Sequence, residues 1–156
     1  MTATPATRAL DKAGISYDLH EYEYEGGHQI GEHAAKAIGA DHNRVFKTLM
    51  LEVDSKPACV VIPVAANVKL KRAASALGGK SAQMMEPAKA ERLTGFRVGG
   101  ISPFGQKRRV PVCFDTSAFQ YERVVINGGQ RGVMVELSPH AAAEFLTATA
   151  ADVTGL

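Results

Sequence analysis

Two apolar, β-rich runs at 44–53 and 58–64, parted by the turn-forming cluster Asp54-Ser55-Lys56-Pro57, constrain this chain more than any other feature. Their length and composition predict a β-hairpin. Within the first run a two-residue period places Lys47 on the same face as Val45, Leu49, Leu51 and Val53. A lysine on such a face either reaches a strand edge and solvent or sits at the mouth of an apolar pocket. In the second case it is aimed at an anion or a developing oxyanion.

The remaining segments are short and mixed. Thr4-Pro5 reads as an N-cap and first helical residue, with Gly14 placed to end that helix. Residues 15–22 alternate, with Ile15, Tyr17 and Leu19 on one face and Ser16, Asp18 and His20 on the other, the period of a half-buried strand. Residues 23–29 read as a polar loop, and 31–38 as a helix stopped by Gly39. A basic amphipathic helix is predicted at 68–77, closed by Gly78-Gly79, and a second at 86–93, closed by Gly95. Residues 96–105 are broken by Gly and Pro. Strands are predicted at 110–114, 123–126 and 133–137, with Asn127-Gly128-Gly129 as a tight turn. Ser138-Pro139 starts a last helix that runs to about Thr147. Strands slightly outnumber helices and are joined by hairpins and helices alike. That pattern predicts an α+β fold, a mixed sheet partly closed towards a barrel with surrounding helices. A length of 156 residues, without repeat or linker, predicts one domain over 1–156.

Composition excludes several classes. With 46% hydrophobic and 22% charged residues the chain is neither a disordered tail nor a coiled coil. The best apolar run, 58–66, is far too short for a membrane span and contains Pro63. No secretory signal is visible at the N-terminus, which predicts a cytoplasmic protein without membrane contact. Cys59 and Cys113 lie in apolar runs and read as buried thiols in a reducing compartment. Charge is nearly balanced at +2 but uneven. Between 97 and 131, Arg97, Lys107, Arg108, Arg109, Arg123 and Arg131 face only Asp115 and Glu122. Such asymmetry fits a polyanion site, or lysines and arginines that merely face solvent.

Three further segments are candidates for chemistry. Gly95, Gly99, Gly100 and Gly105 fall within eleven positions that also hold Ser102 and Pro103. Such a loop is either a plain turn or a cradle of backbone amides for a phosphate or oxyanion. It matches neither the P-loop nor the dinucleotide-binding spacing. Asn127-Gly128-Gly129-Gln130-Arg131-Gly132 is a similar segment with a cation inside it, and an ordinary hairpin tip accounts for its glycines equally well. Gln106-Lys107-Arg108-Arg109 is either a solvated face or a set of phosphate contacts. The five histidines show no metal-binding spacing, Ser102 lies in no nucleophile elbow, and no carboxylate pair stands out. An enzyme built from these parts works by positioning and electrostatics, without metal, cofactor or covalent nucleophile of its own.

Val45-Phe46-Lys47-Thr48-Leu49, the segment from Thr94-Gly95-Phe96 to Gly105-Gln106-Lys107, and Gly128-Gly129-Gln130-Arg131-Gly132 together resemble the YbaK/EbsC family. That family includes aminoacyl-tRNA deacylases related to the editing insertion of bacterial prolyl-tRNA synthetase. The resemblance runs in order from about Thr4 to the last helix. It implies a rolled mixed sheet with packed helices, and clearance of Cys-tRNA(Pro), and also Cys-tRNA(Cys), by attack of the substrate's own thiol on its ester. It implies a catalytic set of Lys47 with the backbone of Gly99, Gly100, Ile101 and Ser102. The substrate pocket is implied to involve Tyr22, Ile30, Thr48, Pro103, Asn127, Gly128, Gly129 and Met134. Lys107, Arg108, Arg109 and Arg131 are implied to hold the acceptor end of the tRNA, and a prolyl-tRNA synthetase is the implied partner.

Three positions depart from the family pattern: Ile30 where an aromatic is common, Asn127 in place of a frequent Ser, and Met134 in place of an Asp. They leave open another small acyl group, such as alanine on tRNA(Pro), for which water replaces the thiol. A non-catalytic module that binds tRNA or a synthetase, and a hydrolase with Ser102 as nucleophile, are the readings from other classes.

Overall fold

The hairpin forms the centre of an eight-stranded mixed sheet. The computed structural model describes residues 3–24, 35–36, 39 and 41–155. In chain order these form α1 (Pro5–Lys12), β1 (Asp18–Glu21), a 3-10 turn (His42–Arg44), β2 (Val45–Val53), β3 (Lys56–Pro63), α2 (Leu70–Ala76), β4 (Ala82–Met84) and α3 (Pro87–Thr94). They continue as β5 (Val112–Asp115), a second 3-10 turn (Thr116–Gln120), β6 (Val124–Gln130), β7 (Val133–Leu137), α4 (Pro139–Leu146) and β8 (Thr149–Ala151). The polar loop expected at 23–29 and the helix expected at 31–38 lie mostly outside the described residues. Of that helix, Ala35 and Lys36 are described and helical.

The strand order is β1-β7-β6-β2-β3-β5-β8, with β4 paired to β2 off this path. The mixed α+β architecture is the one the pattern predicts. The sheet is open, with β1 and β8 as its two ends. Three differences from expectation stand out, in two short strands, one turn and one bulge. The three-residue strands β4 and β8 are too short to show a period. The β2–β3 turn is tighter than the four-residue cluster suggested: Asp54 and Ser55 both take positive φ, 49° and 69°, as a two-residue hairpin turn requires. Asp54 also accepts hydrogen bonds from the Lys80 and Ser81 amides at 3.0 Å, and Pro57 then falls inside β3 opposite Glu52.

The third difference concerns Asn127-Gly128-Gly129, which is not the tip of the β6–β7 hairpin. Asn127 faces Met134 and Gln130 faces Val133, so Gly128 and Gly129 bulge out of the ladder, and the chain reverses at Arg131 and Gly132. Asn127 stabilises the bulge by accepting from the Gly129 amide at 2.7 Å. Gly129 has φ +93°, and a Cβ on it would lie 2.9 Å from the Phe96 ring. Turn chemistry and bulge chemistry use the same residues, and the strand pairing on both sides decides between them.

Both faces of the sheet are covered. On one, Phe46, Val61, Phe114, Ile126 and Val135 pack with Leu10 of α1, Ala90 of α3, Ala142 of α4 and with Phe104. On the other, Leu51, Val60, Ile62 and Cys113 pack with Ala73 of α2. Helix starts follow the sequence signals: Thr4 at the N-cap, just ahead of Pro5, forms a reciprocal capping box with Thr7 in the first turn, and the Ser138 hydroxyl accepts from the Ala141 amide at 3.2 Å. Gly105, at φ +69°, brings the 96–106 loop against α1, where a Cβ would stand 2.4 Å from the Pro5 carbonyl oxygen. Positive φ and a backbone neighbour both oppose a side chain there. Gly105→Ala is therefore expected to destabilise the protein by about 2–4 kcal/mol, read as a lower urea midpoint with an unchanged slope.

Glu136 of β7 holds β1 and the first 3-10 turn to the sheet, with His20 Nε2 at 2.8 Å and Arg44 Nη1 at 3.1 Å. Burial opposes its ionisation, but the His20 hydrogen bond and the Arg44 and Arg123 guanidiniums outweigh burial and hold the carboxyl below its ordinary value. A depressed carboxylate contributes stability that is complete above the unfolded value of about 4.3 and is lost as pH falls through the folded one. Urea midpoints at pH 7 and pH 3 should show a smaller acid loss in Glu136→Gln than in the parent protein.

Candidate functional site

One edge of β2 is incompletely paired. β3 runs along the other edge from Phe46 to Val53. On the open side β6 pairs only with Val45 and Phe46, and β4 only with residues 51–53. Between these two short partners lies the stretch Lys47-Thr48-Leu49-Met50. The Met50 carbonyl accepts from the Met85 amide at 3.1 Å across this edge. By the alternation of a strand, the backbone of Thr48, two residues away, turns to the same side. Its hydroxyl oxygen is buried and has no hydrogen-bond partner among the described residues. The break in pairing opens into a cavity of about 530 Å³.

Seven of the expected residues line that cavity: Lys47, Thr48, Tyr22, Gly99, Ile101, Asn127 and Met134. Lys47 is half-buried, on the sheet face opposite Phe46, as its period predicts. Burial pushes the Tyr22 phenol above its ordinary value, so at neutral pH it carries its proton. Met134 is buried with Val45, Val64 and Val125.

The glycine loop reaches the cavity because it is tied at both ends. Thr94 accepts the Phe96 amide through its hydroxyl, and Leu93 and Thr94 accept the Arg108 and Lys107 amides, which closes the loop onto the end of α3. At its tip, Glu91 accepts the Val98 amide at 2.9 Å. The loop then docks on the β6–β7 hairpin. Asn127 Nδ2 donates to the Gly99 carbonyl at 3.2 Å, and Arg131 Nε donates to the Val98 carbonyl at 2.8 Å. A Cβ on Gly100 would lie 2.7 Å from the Arg131 amide nitrogen, so glycine is what allows the two segments to touch.

This docking revises several expectations. The Gly100 amide does not face the cavity as a free donor; it closes a turn on the Arg97 carbonyl at 2.8 Å. Gly99 and Ile101 border the cavity, and their amides have no acceptor among the described residues. Ser102 is fully buried, with its hydroxyl accepting from the Phe104 amide at 3.1 Å. Pro103 borders a separate cavity of about 190 Å³ together with Arg109 and Phe145. Gly128 and Gly129 lie behind the site in the bulge. Arg131 is committed to the loop and to the Tyr24 ring, whose centroid lies 5.0 Å from its guanidinium. Lys107, Arg108 and Arg109 are exposed but border the loop's far side and not this cavity. Ile30 lies outside the described residues.

Asn67, Met84, Met85 and Pro87, which no sequence signal marks, also line the cavity. They lie in the loop after β3 and around β4, where neither period nor motif marks them. Cys59 and Cys113 do not line it; burial pushes the Cys59 thiol up to about 12, which leaves it protonated and inert. Among the described residues no group of three or more His, Cys, Asp or Glu is placed to hold a metal, and no helix is long and apolar enough to cross a membrane.

The pattern of the aminoacyl-tRNA editing domain matches residues 25–145. The chain is 32% identical over 153 residues to EbsC of Enterococcus faecalis, a candidate Cys-tRNA(Pro)/Cys-tRNA(Cys) deacylase, covering 97% of this chain and 93% of that one. A crystal structure of a candidate trans-editing enzyme for prolyl tRNA synthetase superposes with a TM-score of 0.85 at 23% identity over 99% of both chains. A scaffold protein used to present grafted epitopes gives the same TM-score at 22% identity over 98% of both chains. The two structural likenesses show the fold. The pattern match and the relative together show that the chain belongs to the aminoacyl-tRNA editing domain family.

Proposed function

We propose that this chain is a trans-editing aminoacyl-tRNA deacylase of the cytoplasm that clears Cys-tRNA(Pro), and also Cys-tRNA(Cys). The observation that carries the reading is the convergence of Lys47 and Thr48, on the open edge of β2, with the backbone of Gly99 and Ile101 around one cavity. The substrate ester is already activated, and the cavity needs to orient it more than to attack it. In the cysteinyl substrate the side-chain sulfur attacks the ester carbonyl. A carbon–sulfur bond forms, the bond to the ribose oxygen breaks, and the thiol proton ends on that oxygen as the tRNA leaves. The product is a cyclic thioester, which water then opens. The Gly99 and Ile101 amides hold the carbonyl oxygen as it gains charge. Lys47 binds the terminal nucleotide by charge, and the Thr48 hydroxyl, otherwise orphaned, bonds the aminoacyl group. Met134 and Leu49 give the acyl site apolar walls.

Two features support a substrate-supplied nucleophile. Ser102 is buried away from the cavity, and both cysteines lie outside its lining. The Asn127 amide is engaged on the Gly99 and Gln130 carbonyls and the Gly129 amide, so it serves the loop. A prolyl-tRNA synthetase supplies the tRNA selectivity in this reading. Adding it to the assay should narrow the range of tRNAs cleared, and an unchanged range removes it as partner.

The deciding assay offers the purified protein Cys-tRNA(Pro), Ala-tRNA(Pro) and S-methylcysteinyl-tRNA(Pro). Loss of the cysteinyl ester alone is expected. Equal clearance of the alanyl ester points to water attack, and survival of all three at the buffer rate, with tRNA still bound, leaves a binding module.

Variants of the open edge separate activity from stability. Lys47→Ala is expected to lower kcat/KM about a hundredfold, near 2.7 kcal/mol of transition-state binding, with its circular dichroism retained. Thr48→Val removes an unsatisfied buried hydroxyl at constant shape. Its melting temperature should hold or rise while kcat/KM falls about tenfold. A fall in both together would place Thr48 in the packing and not in substrate binding.

A further inference from the structure

The cavity is too large for its acyl group alone. A volume of about 530 Å³ belongs to sites that enclose a whole drug-sized molecule, and a cysteinyl group has only a handful of heavy atoms. The surplus lies towards a mouth with a distinct character. Among the described residues two large hydrophobic side chains stand exposed, Met84 at 49% and Val98 at 36%, and both border this cavity. Isolated surface hydrophobics are ordinary, but these two share one opening.

They are held by different banks of the gap in the sheet. Met84 belongs to β4, paired opposite Leu51. Val98 is fixed through its backbone to Glu91 of α3 and to Arg131 of the β6–β7 hairpin. Asn67, on the loop between β3 and α2, is exposed at the same mouth, and its amide makes no hydrogen bond among the described residues.

We propose that this mouth seats the terminal adenine base of the acylated tRNA, its faces against Met84 and Val98 and its edge read by Asn67. The inference rests on the deacylase reading, which requires the base to lie one ribose away from the ester. A purine has two apolar faces and an edge that alternates donor and acceptor. Two apolar side chains on opposite banks suit the faces. An asparagine amide, with one donor group and one acceptor, suits the adenine N6–H and N7 pair and mismatches the corresponding edge of guanine, where both groups accept. Lys107, Arg108 and Arg109 do not border the cavity, so the base is seated there without them.

The test uses two probes and two variants. Adenosine 5′-monophosphate and cytidine 5′-monophosphate are titrated into the protein by calorimetry and added as inhibitors of Cys-tRNA(Pro) deacylation. The adenine nucleotide is expected to bind about tenfold more tightly, a preference that Asn67→Ala abolishes and Met84→Ser weakens. Both variants should raise KM for Cys-tRNA(Pro) about tenfold with kcat within about twofold and melting temperature unchanged. Equal binding of the two nucleotides by the parent protein, or variants that lower kcat at constant KM, overturns the proposal. A parent protein that prefers the adenine nucleotide but deacylates nothing would uphold the seat and overturn the deacylase reading.

Discussion

A strand inside a sheet has two rows of backbone donors and acceptors to satisfy, and β2 satisfies one row along its length and the other only at its ends. The shortfall follows from topology. β6 arrives in parallel and can reach only Val45 and Phe46 before its own bulge turns it away, while β4 has three residues and meets only the far end. Thr48 is left between them. Because β2 is also the strand locked most extensively to its neighbour β3, the opening is carried by a rigid element, and the groups lining it inherit that rigidity.

The opposite wall depends on two segments about thirty residues apart in sequence that touch through backbone. Gly100 approaches the Arg131 amide more closely than any side chain permits, and Gly129 admits the Phe96 ring. Asn127 then joins the two by spanning the Gly99 and Gln130 carbonyls and the Gly129 amide. These bonds turn two glycine segments, each flexible alone, into one surface. The same bonds explain why Asn127 and Arg131 are supports of the wall: their polar atoms are already engaged with it.

The hairpin, the side of β2 that carries Lys47, the glycine loop and both capped helices were legible because each rests on local chemistry: a period of two, a Pro after a capping hydroxyl, Gly at a left-handed position. The gap in the sheet was not legible. It depends on where β6 and β4 stop, which is set by pairing between residues some eighty positions apart for β6. The bulge was misread for a related reason, since Asn-Gly-Gly satisfies a turn and a bulge equally until the partner strand is placed. Ser102 and Gly100 carried the right motif, but the turn that positions the loop uses up the Gly100 amide and buries the Ser102 side chain. Asn67 and Met84 had no signal at all.

The orphaned hydroxyl of Thr48 says something about what the cavity is selected for. A buried donor without a partner costs about 1–3 kcal/mol, and a valine of the same shape would avoid that cost. Packing alone gives no reason to keep the oxygen there. A ligand that supplies the missing partner does, because the bond it completes is formed in a water-poor site where a single hydrogen bond discriminates strongly. In the proposed reading the cost falls on the empty protein and is recovered on binding. The unsatisfied atom on the open edge of β2 is thus the point at which stability has been given up, in a residue that borders the same cavity as Gly99 and Ile101.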